Sequence, residues 1–115
     1  MTSEMKPVKF IVGLYRDIDK DPVKNELELL ATDLPLNLID SFPKTQLWST
    51  TKTAYESLFN AKIEYQSRTV ETKENSRIRT YQISNWVELK PAQIPDCLTD
   101  KIRYIILEQE VGLED

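Results

Sequence analysis

The chain has 115 residues, of which 40% are hydrophobic and 30% charged, with a formal net charge of −4. This length and composition predict one globular domain, 1–115, and the acidic balance argues against gross electrostatic binding to DNA or membranes. There is no histidine, one cysteine and two glycines, so the residue that is both the commonest general base and the commonest metal ligand is absent, and a glycine-rich phosphate-binding loop is missing. We therefore expect no enzymatic activity, no catalytic residues and no bound metal or cofactor.

The beginning of the chain does not resemble an export signal. Met1–Pro7 is polar, and the apolar run that follows, Phe10–Tyr15, is too short for a signal peptide or a membrane span. A single cysteine cannot form an internal disulfide. These features predict a cytoplasmic protein that does not enter a membrane, with frayed ends at Met1–Lys6 and Gly112–Asp115.

The first third of the chain predicts a strand and then a helix. Val8–Tyr15 is short and rich in β-branched and aromatic residues, as is typical of a buried strand. Asp21 and Pro22 have the residue types of a helix cap and a first helical position. Apolar residues at helical spacing extend this helix to about Asp33, and Pro35 ends it.

The next segment is less regular. Leu36–Gln46 predicts either a short helical turn or an irregular packed segment. Hydroxyl residues at Ser49–Thr51 offer several helix caps. They precede a second helix whose apolar stripe consists of Ala54, Tyr55, Leu58 and Phe59.

From Ala61 onward the pattern becomes extended. Ile63, Tyr65 and Ser67 alternate with Lys62, Glu64, Gln66 and Arg68, which predicts a half-exposed strand. Lys73–Ser76 predicts a hairpin turn before a second long strand, Arg77–Leu89. Ile102–Val111 predicts the last strand. The predicted order is β-α-(α)-α-β-β-β, an α+β domain in which two or three helices cover one face of an antiparallel sheet of about four strands.

An acidic segment precedes the first helix. Counted from Asp17, oxygen-bearing side chains, including those of Asp19 and Asp21, occur at the spacing of an EF-hand calcium loop. Pro22 occupies the position that requires glycine, and the preceding segment predicts a strand instead of the entering helix. We therefore interpret the segment as a solvated acidic turn that complements the helix dipole.

The single cysteine lies in a chain with no histidine that could activate it as a nucleophile. An unactivated cysteine behaves as a small apolar residue. We therefore expect Cys97 to be buried and unreactive.

The predicted hairpin carries the candidate interface, which consists of Arg68, Arg77, Arg79, Tyr81 and Trp86. Arginine, tyrosine and tryptophan are enriched at protein–protein hot spots. We predict a protein-interaction module, such as an adaptor, an assembly factor or a small complex subunit, that binds another protein through this hairpin. The simpler interpretation is an amphipathic hairpin whose arginines form cross-strand ion pairs with Glu64, Glu71 and Glu74.

Three alternatives stay open at this point. Basic residues interleaved with aromatic residues also suit nucleic acid, which would bind the same hairpin with a steep salt dependence. A histidine-free enzyme or small-ligand carrier would need a deep pocket that converges on Arg77 or Arg79. A symmetric homodimer would cover apolar sheet surface that the helices leave open.

Overall fold

The computed structural model describes residues 6–108 and 111–113. The helices and strands in chain order are β1 (Val8–Leu14), α1 (Lys20–Ala31), β2 (Leu36–Ser41), β3 (Thr45–Thr50), α2 (Lys52–Phe59), β4 (Lys62–Glu74), β5 (Arg77–Lys90), β6 (Ile102–Leu107) and β7 (Val111–Leu113). A short 3₁₀ helix, Asp96–Leu98, precedes β6. The predicted α+β class is confirmed, but the described strands form two antiparallel sheets instead of one.

The first sheet has the strand order β2-β3-β1-β6. β3 lies between β1 and β2 and is antiparallel to both, so β1 and β2 are parallel to each other but not adjacent. α1 connects these two strands. In the same way β1 lies between β3 and β6, which are parallel to each other. The segment that connects β3 to β6 contains α2, β4 and β5. The result is two interlocked split β-α-β units, with side chains of both helices in one core.

The second sheet has the order β4-β5-β7. β4 and β5 form a long hairpin in continuous register from Ile63 to Glu74. The turn residues Asn75 and Ser76 have φ values of 50° and 65°, the geometry of a type I′ turn, which matches the twist of the strands. Residues 71–80 are exposed, so the outer half of the hairpin extends beyond the core and gives the chain its length of 53 Å.

The core lies between the first sheet and the two helices. Alternate residues of β1 (Val8, Phe10 and Val12) are fully buried, as expected for a strand with one face against helices. The rings of Phe10, Tyr55 and Phe59 pack edge to face, with centroids 5.2 to 5.3 Å apart. This cluster joins β1 to α2, and the helix leads directly into the hairpin.

The largest difference from the expected order concerns β2 and β3. Leu36–Gln46 was predicted to be a helical turn or an irregular segment, and Ser49–Thr51 to be helix caps, but these residues include β2 and most of β3. β2 is an edge strand, and its register shifts between Leu38 and Asp40. A shift of this kind interrupts the alternation of apolar and polar residues by which a strand is found in a sequence. The described residues therefore contain two α-helices, and two strands separate them.

The ends of the elements also differ from expectation. α1 begins at Lys20, so Asp19 and not Asp21 is the N-cap residue, and its side chain makes no capping hydrogen bond. The expected cap of α2 is present, since the Thr51 hydroxyl accepts a hydrogen bond from the Ala54 amide. The strand predicted at Ile102–Val111 ends at Leu107, and residues 109–110 lie outside the described residues.

The predicted frayed ends are mostly outside the described residues too. Gly112 and Leu113 belong instead to β7, which pairs with β5. Cys97 is exposed, contrary to expectation, because the 3₁₀ helix turns its neighbour Leu98 into the core.

Candidate interaction surface

The pairing of β4 with β5 divides the hairpin side chains between two faces. Directly paired residues of antiparallel strands share a face, and faces alternate along each strand. One face carries Arg68, Val70, Thr72 and Glu74 of β4 with Arg77, Arg79, Tyr81 and Ile83 of β5. We call these eight residues the arginine face. The structure thus brings four of the five candidate residues together.

Trp86, the fifth candidate residue, lies on the opposite face. Its side chain is only 5% exposed, and its indole N–H donates a hydrogen bond of 3.0 Å to the carbonyl of Pro7. The ring also packs edge to face on Tyr65, with centroids 5.2 Å apart. Trp86 therefore attaches the base of the hairpin to the core, and little of its side chain is accessible.

The expected cross-strand ion pairs do not form. Glu71 pairs with Thr80 on the opposite face, and Glu64 accepts a hydrogen bond from Gln66 on its own strand. Glu74 lies across from Arg77, yet no salt bridge joins them. Within the described part of the chain, no carboxylate lies within salt-bridge distance of the three hairpin arginines. Their charges are available to another molecule.

A groove of about 570 Å³ lies beside the arginine face and is lined by residues of β4, β5 and β6. Its apolar lining includes Ile83, Val87 and Ile106, and its polar lining includes Gln66 and Arg68. Neither Arg77 nor Arg79 lines it. The groove is thus not the deep pocket on those arginines that a small-ligand carrier or enzyme was expected to have.

The groove continues onto the sheet face that the helices do not cover. Ile11 lies there between Leu47 and Ile106 on the neighbouring strands, and Ile106 is 46% exposed. The ring of Tyr104 lies against Gly13 so closely that a side chain at residue 13 would overlap it. The arginine face is therefore bordered by apolar surface at its base.

In the described part of the chain, the pKa values of two titratable side chains, Tyr55 and Cys97, clearly depart from their usual values. Burial, and then the charge of Glu88, raise the pKa of the Tyr55 phenol, whose oxygen has no hydrogen-bond partner among residues 6–108 and 111–113. Desolvation, and then the neighbouring Glu26, raise the pKa of the Cys97 thiol, which keeps it protonated at neutral pH. Both changes oppose the ionised form that a nucleophile or base would need.

No group of three or more acidic or cysteine side chains in the described ranges could hold a metal ion. Asp17, Asp19 and Asp21 accordingly do not form a metal-binding cluster with one another. No helix in the described part of the chain is both long and apolar enough to span a bilayer.

Sequence reasoning did not find all of this surface. The place of Ile83 on the arginine face follows from its even spacing from Arg77 and Arg79 on one strand. The contribution of Ile106 depends on how the two sheets meet, and no local pattern in the sequence reveals that. No protein-family model matches the chain, and no curated protein or solved structure shows significant similarity to it.

Proposed function

We propose that this chain is a non-enzymatic protein-interaction module that binds another protein through the arginine face of its hairpin. The observation that carries the proposal is the grouping of three arginines, none with a carboxylate partner in the described structure, beside Tyr81 on one exposed face. An adaptor, an assembly factor or a small subunit of a complex would each use such a surface.

The composition of this face suits a protein partner. Tyr81 and Ile83 are half-buried and form an apolar centre, while the arginines and Thr72 surround it with exposed polar groups. Interfaces commonly have an apolar centre and a polar rim, and arginine and tyrosine contribute much of their binding energy. Because none of these arginines has a carboxylate partner among the described residues, a partner need not break a described ion pair in order to bind them.

Charge reversal tests this proposal. The tagged wild-type protein and the variant Arg68→Glu/Arg79→Glu are each used to capture partners from the native cells, and captured proteins are quantified by mass spectrometry. The matched control is Arg16→Glu/Arg103→Glu, which makes the same charge change at two exposed arginines outside the hairpin. We expect a stoichiometric protein partner that the control retains and the hairpin variant loses at least about tenfold, the equivalent of about 1.4 kcal/mol.

A partner that both variants retain equally would contradict the proposal. A nuclease-treated arm separates the main alternative, nucleic-acid binding. If capture disappears with nuclease and weakens steeply as salt rises, the arginines bind phosphates and a protein partner is excluded.

A further inference from the structure

β4 is an edge strand of the second sheet, with β5 as its only described neighbour. The two-residue turn makes Glu74 and Arg77 a hydrogen-bonded pair, and such pairs then alternate with non-hydrogen-bonded pairs along the hairpin. Every odd-numbered residue from Lys73 back to Ile63 therefore directs its backbone N–H and C=O away from β5. These groups form the free edge of the hairpin.

One hydrogen bond supports this assignment independently. The amide of Ile63 donates to the Glu56 carboxylate of α2 at 3.0 Å, which it could not do if it were bonded to β5. Glu56 thus closes the free edge at its base. Beyond it, no described group pairs with the outward backbone of Tyr65, Ser67, Thr69, Glu71 or Lys73. At about 3.4 Å per residue, this open edge is about 27 Å long.

Proline, a bulge and a covering segment, three features that commonly protect an edge strand, are missing from this stretch among the described residues. Charged side chains, which also protect edges, are present at Arg68, Glu71 and Lys73. β4 contains no proline, and its one register shift lies at Lys62 and Ile63, before the open edge begins. The side chains along it are mainly polar, so the edge can stay exposed without an apolar surface that would cause aggregation.

We propose that an extended segment of the partner protein adds to β4 as a further strand and that this segment carries acidic residues at alternate positions. The inference rests on the proposed function, because it names the partner chemistry for the same hairpin. Unpaired backbone groups in regular register are what an added strand recognises. Side chains of that strand would alternate between the two faces of the sheet.

The charge of the arginine face determines which residues the added strand should carry. Its side chains on that face would lie next to Gln66, Arg68, Val70 and Thr72 of β4. Arg68 is then an immediate neighbour, and Arg79 lies behind the short side chain of Thr72. Acidic residues at every second position would face these unpaired arginines, whereas basic residues there would be repelled.

Amide hydrogen exchange measured by NMR tests the strand addition directly. The probe is a nine-residue peptide with blocked ends in which glutamate alternates with valine or threonine. The control peptide has the same composition, with all glutamates grouped at one end. In the free protein we expect fast exchange at Ser67, Thr69 and Glu71 and slow exchange at Arg68 and Val70, which bond to β5.

With about nine-tenths of the protein bound to the alternating peptide, the three outward amides should exchange about tenfold more slowly, because only the free tenth can exchange. The grouped peptide should bind at least about tenfold more weakly, since its net charge is the same but its acids cannot all face the arginines. Equal binding of the two peptides, or binding that leaves the outward amides unprotected, would overturn the proposal. Protection without peptide, together with a concentration-dependent dimer, would also overturn it, because a second copy of the chain would then occupy the edge.

The variant Thr69→Pro provides a second test. It removes one outward N–H and leaves the bonds to β5, and proline is tolerated where the N–H faces solvent. Thr69→Val, which keeps the N–H, is the matched control. We expect the proline variant to keep its urea midpoint but lose peptide binding at least about tenfold.

Comparison of Thr69→Pro with Arg68→Glu/Arg79→Glu separates failure of the strand addition from failure of the proposed function. If Thr69→Pro retains a native partner that Arg68→Glu/Arg79→Glu loses, the arginine face binds a protein but β4 does not accept a strand. If both retain it, the proposed function fails as well.

Discussion

The variant Trp86→Ala tests whether Trp86 belongs to the core, as the structure indicates, or to an accessible surface. An aromatic side chain buries about 150–250 Å², which corresponds to about 4–6 kcal/mol at about 25 cal/mol per Å². Trp86 is only 5% exposed, so most of this area is buried. Alanine keeps its own methyl group and the surroundings relax in part, so we expect a loss of about 3–5 kcal/mol in the free energy of unfolding.

The variant Trp86→Phe separates packing from hydrogen bonding. Phenylalanine keeps an aromatic ring against Tyr65 but cannot donate to the Pro7 carbonyl. The lost hydrogen bond and the smaller ring together should cost about 1–2 kcal/mol. Tryptophan replacement changes the fluorescence signal, so unfolding in urea should be followed by far-UV circular dichroism.

The reasoning would be refuted if Trp86→Ala cost less than about 1 kcal/mol, as a surface substitution does. It would also be refuted if the phenylalanine and alanine variants were equally unstable, because the hydrogen bond would then outweigh the packing. If a well-folded Trp86→Ala protein lost partner binding, Trp86 would belong to the interface instead of the core.

Three further predictions concern local features of the fold. Thr51→Ala removes the cap of α2 and should lower the free energy of unfolding by about 1 kcal/mol in urea. Ser76 has a φ of 65°, and this left-handed conformation costs a non-glycine residue about 1–2 kcal/mol. Ser76→Gly should therefore raise the urea midpoint of unfolding, whereas Ser76→Ala should not. The pKa of Tyr55 is raised in the folded protein, so above about pH 10 its phenol loses its proton in the unfolded chain first, and the free energy of unfolding falls. Tyr55→Phe removes this phenol and should therefore reduce the alkaline loss of stability. Comparison of wild type and Tyr55→Phe in urea between pH 7 and pH 11 measures the effect, and parallel alkaline decline of the two proteins would contradict it.

Elements with one dominant pattern could be predicted from the sequence. The β-branched run of β1, the alternation in β4 and β5 and the cap at Thr51 each depend on neighbouring residues, and the structure contains all of them. β2 could not be found, because a short edge strand with a register shift lacks the alternation that marks a strand. The second sheet could not be foreseen either, since it depends on where the chain after Leu107 pairs.

Part of the candidate surface could also be predicted from the sequence. Residues two apart on one strand must share a face, which places Arg77, Arg79 and Tyr81 together without knowledge of the fold. Arg68 joins them because the turn fixes the register of the hairpin. Trp86 could not be assigned in this way, because its burial depends on contact with Pro7, far away in sequence. That the three hairpin arginines have no carboxylate partner among the described residues likewise depends on side-chain geometry, which register alone does not determine.

The most direct test of the central claim is site-specific photo-crosslinking in the native cells. Tyr81 on the arginine face is replaced by p-benzoylphenylalanine, and the control places the same group at Tyr15, an exposed tyrosine after β1. We predict that irradiation yields a discrete protein adduct from residue 81 and none from residue 15. A surface that binds no protein would give no adduct at residue 81, or the same adducts at both positions, and either result would contradict the account.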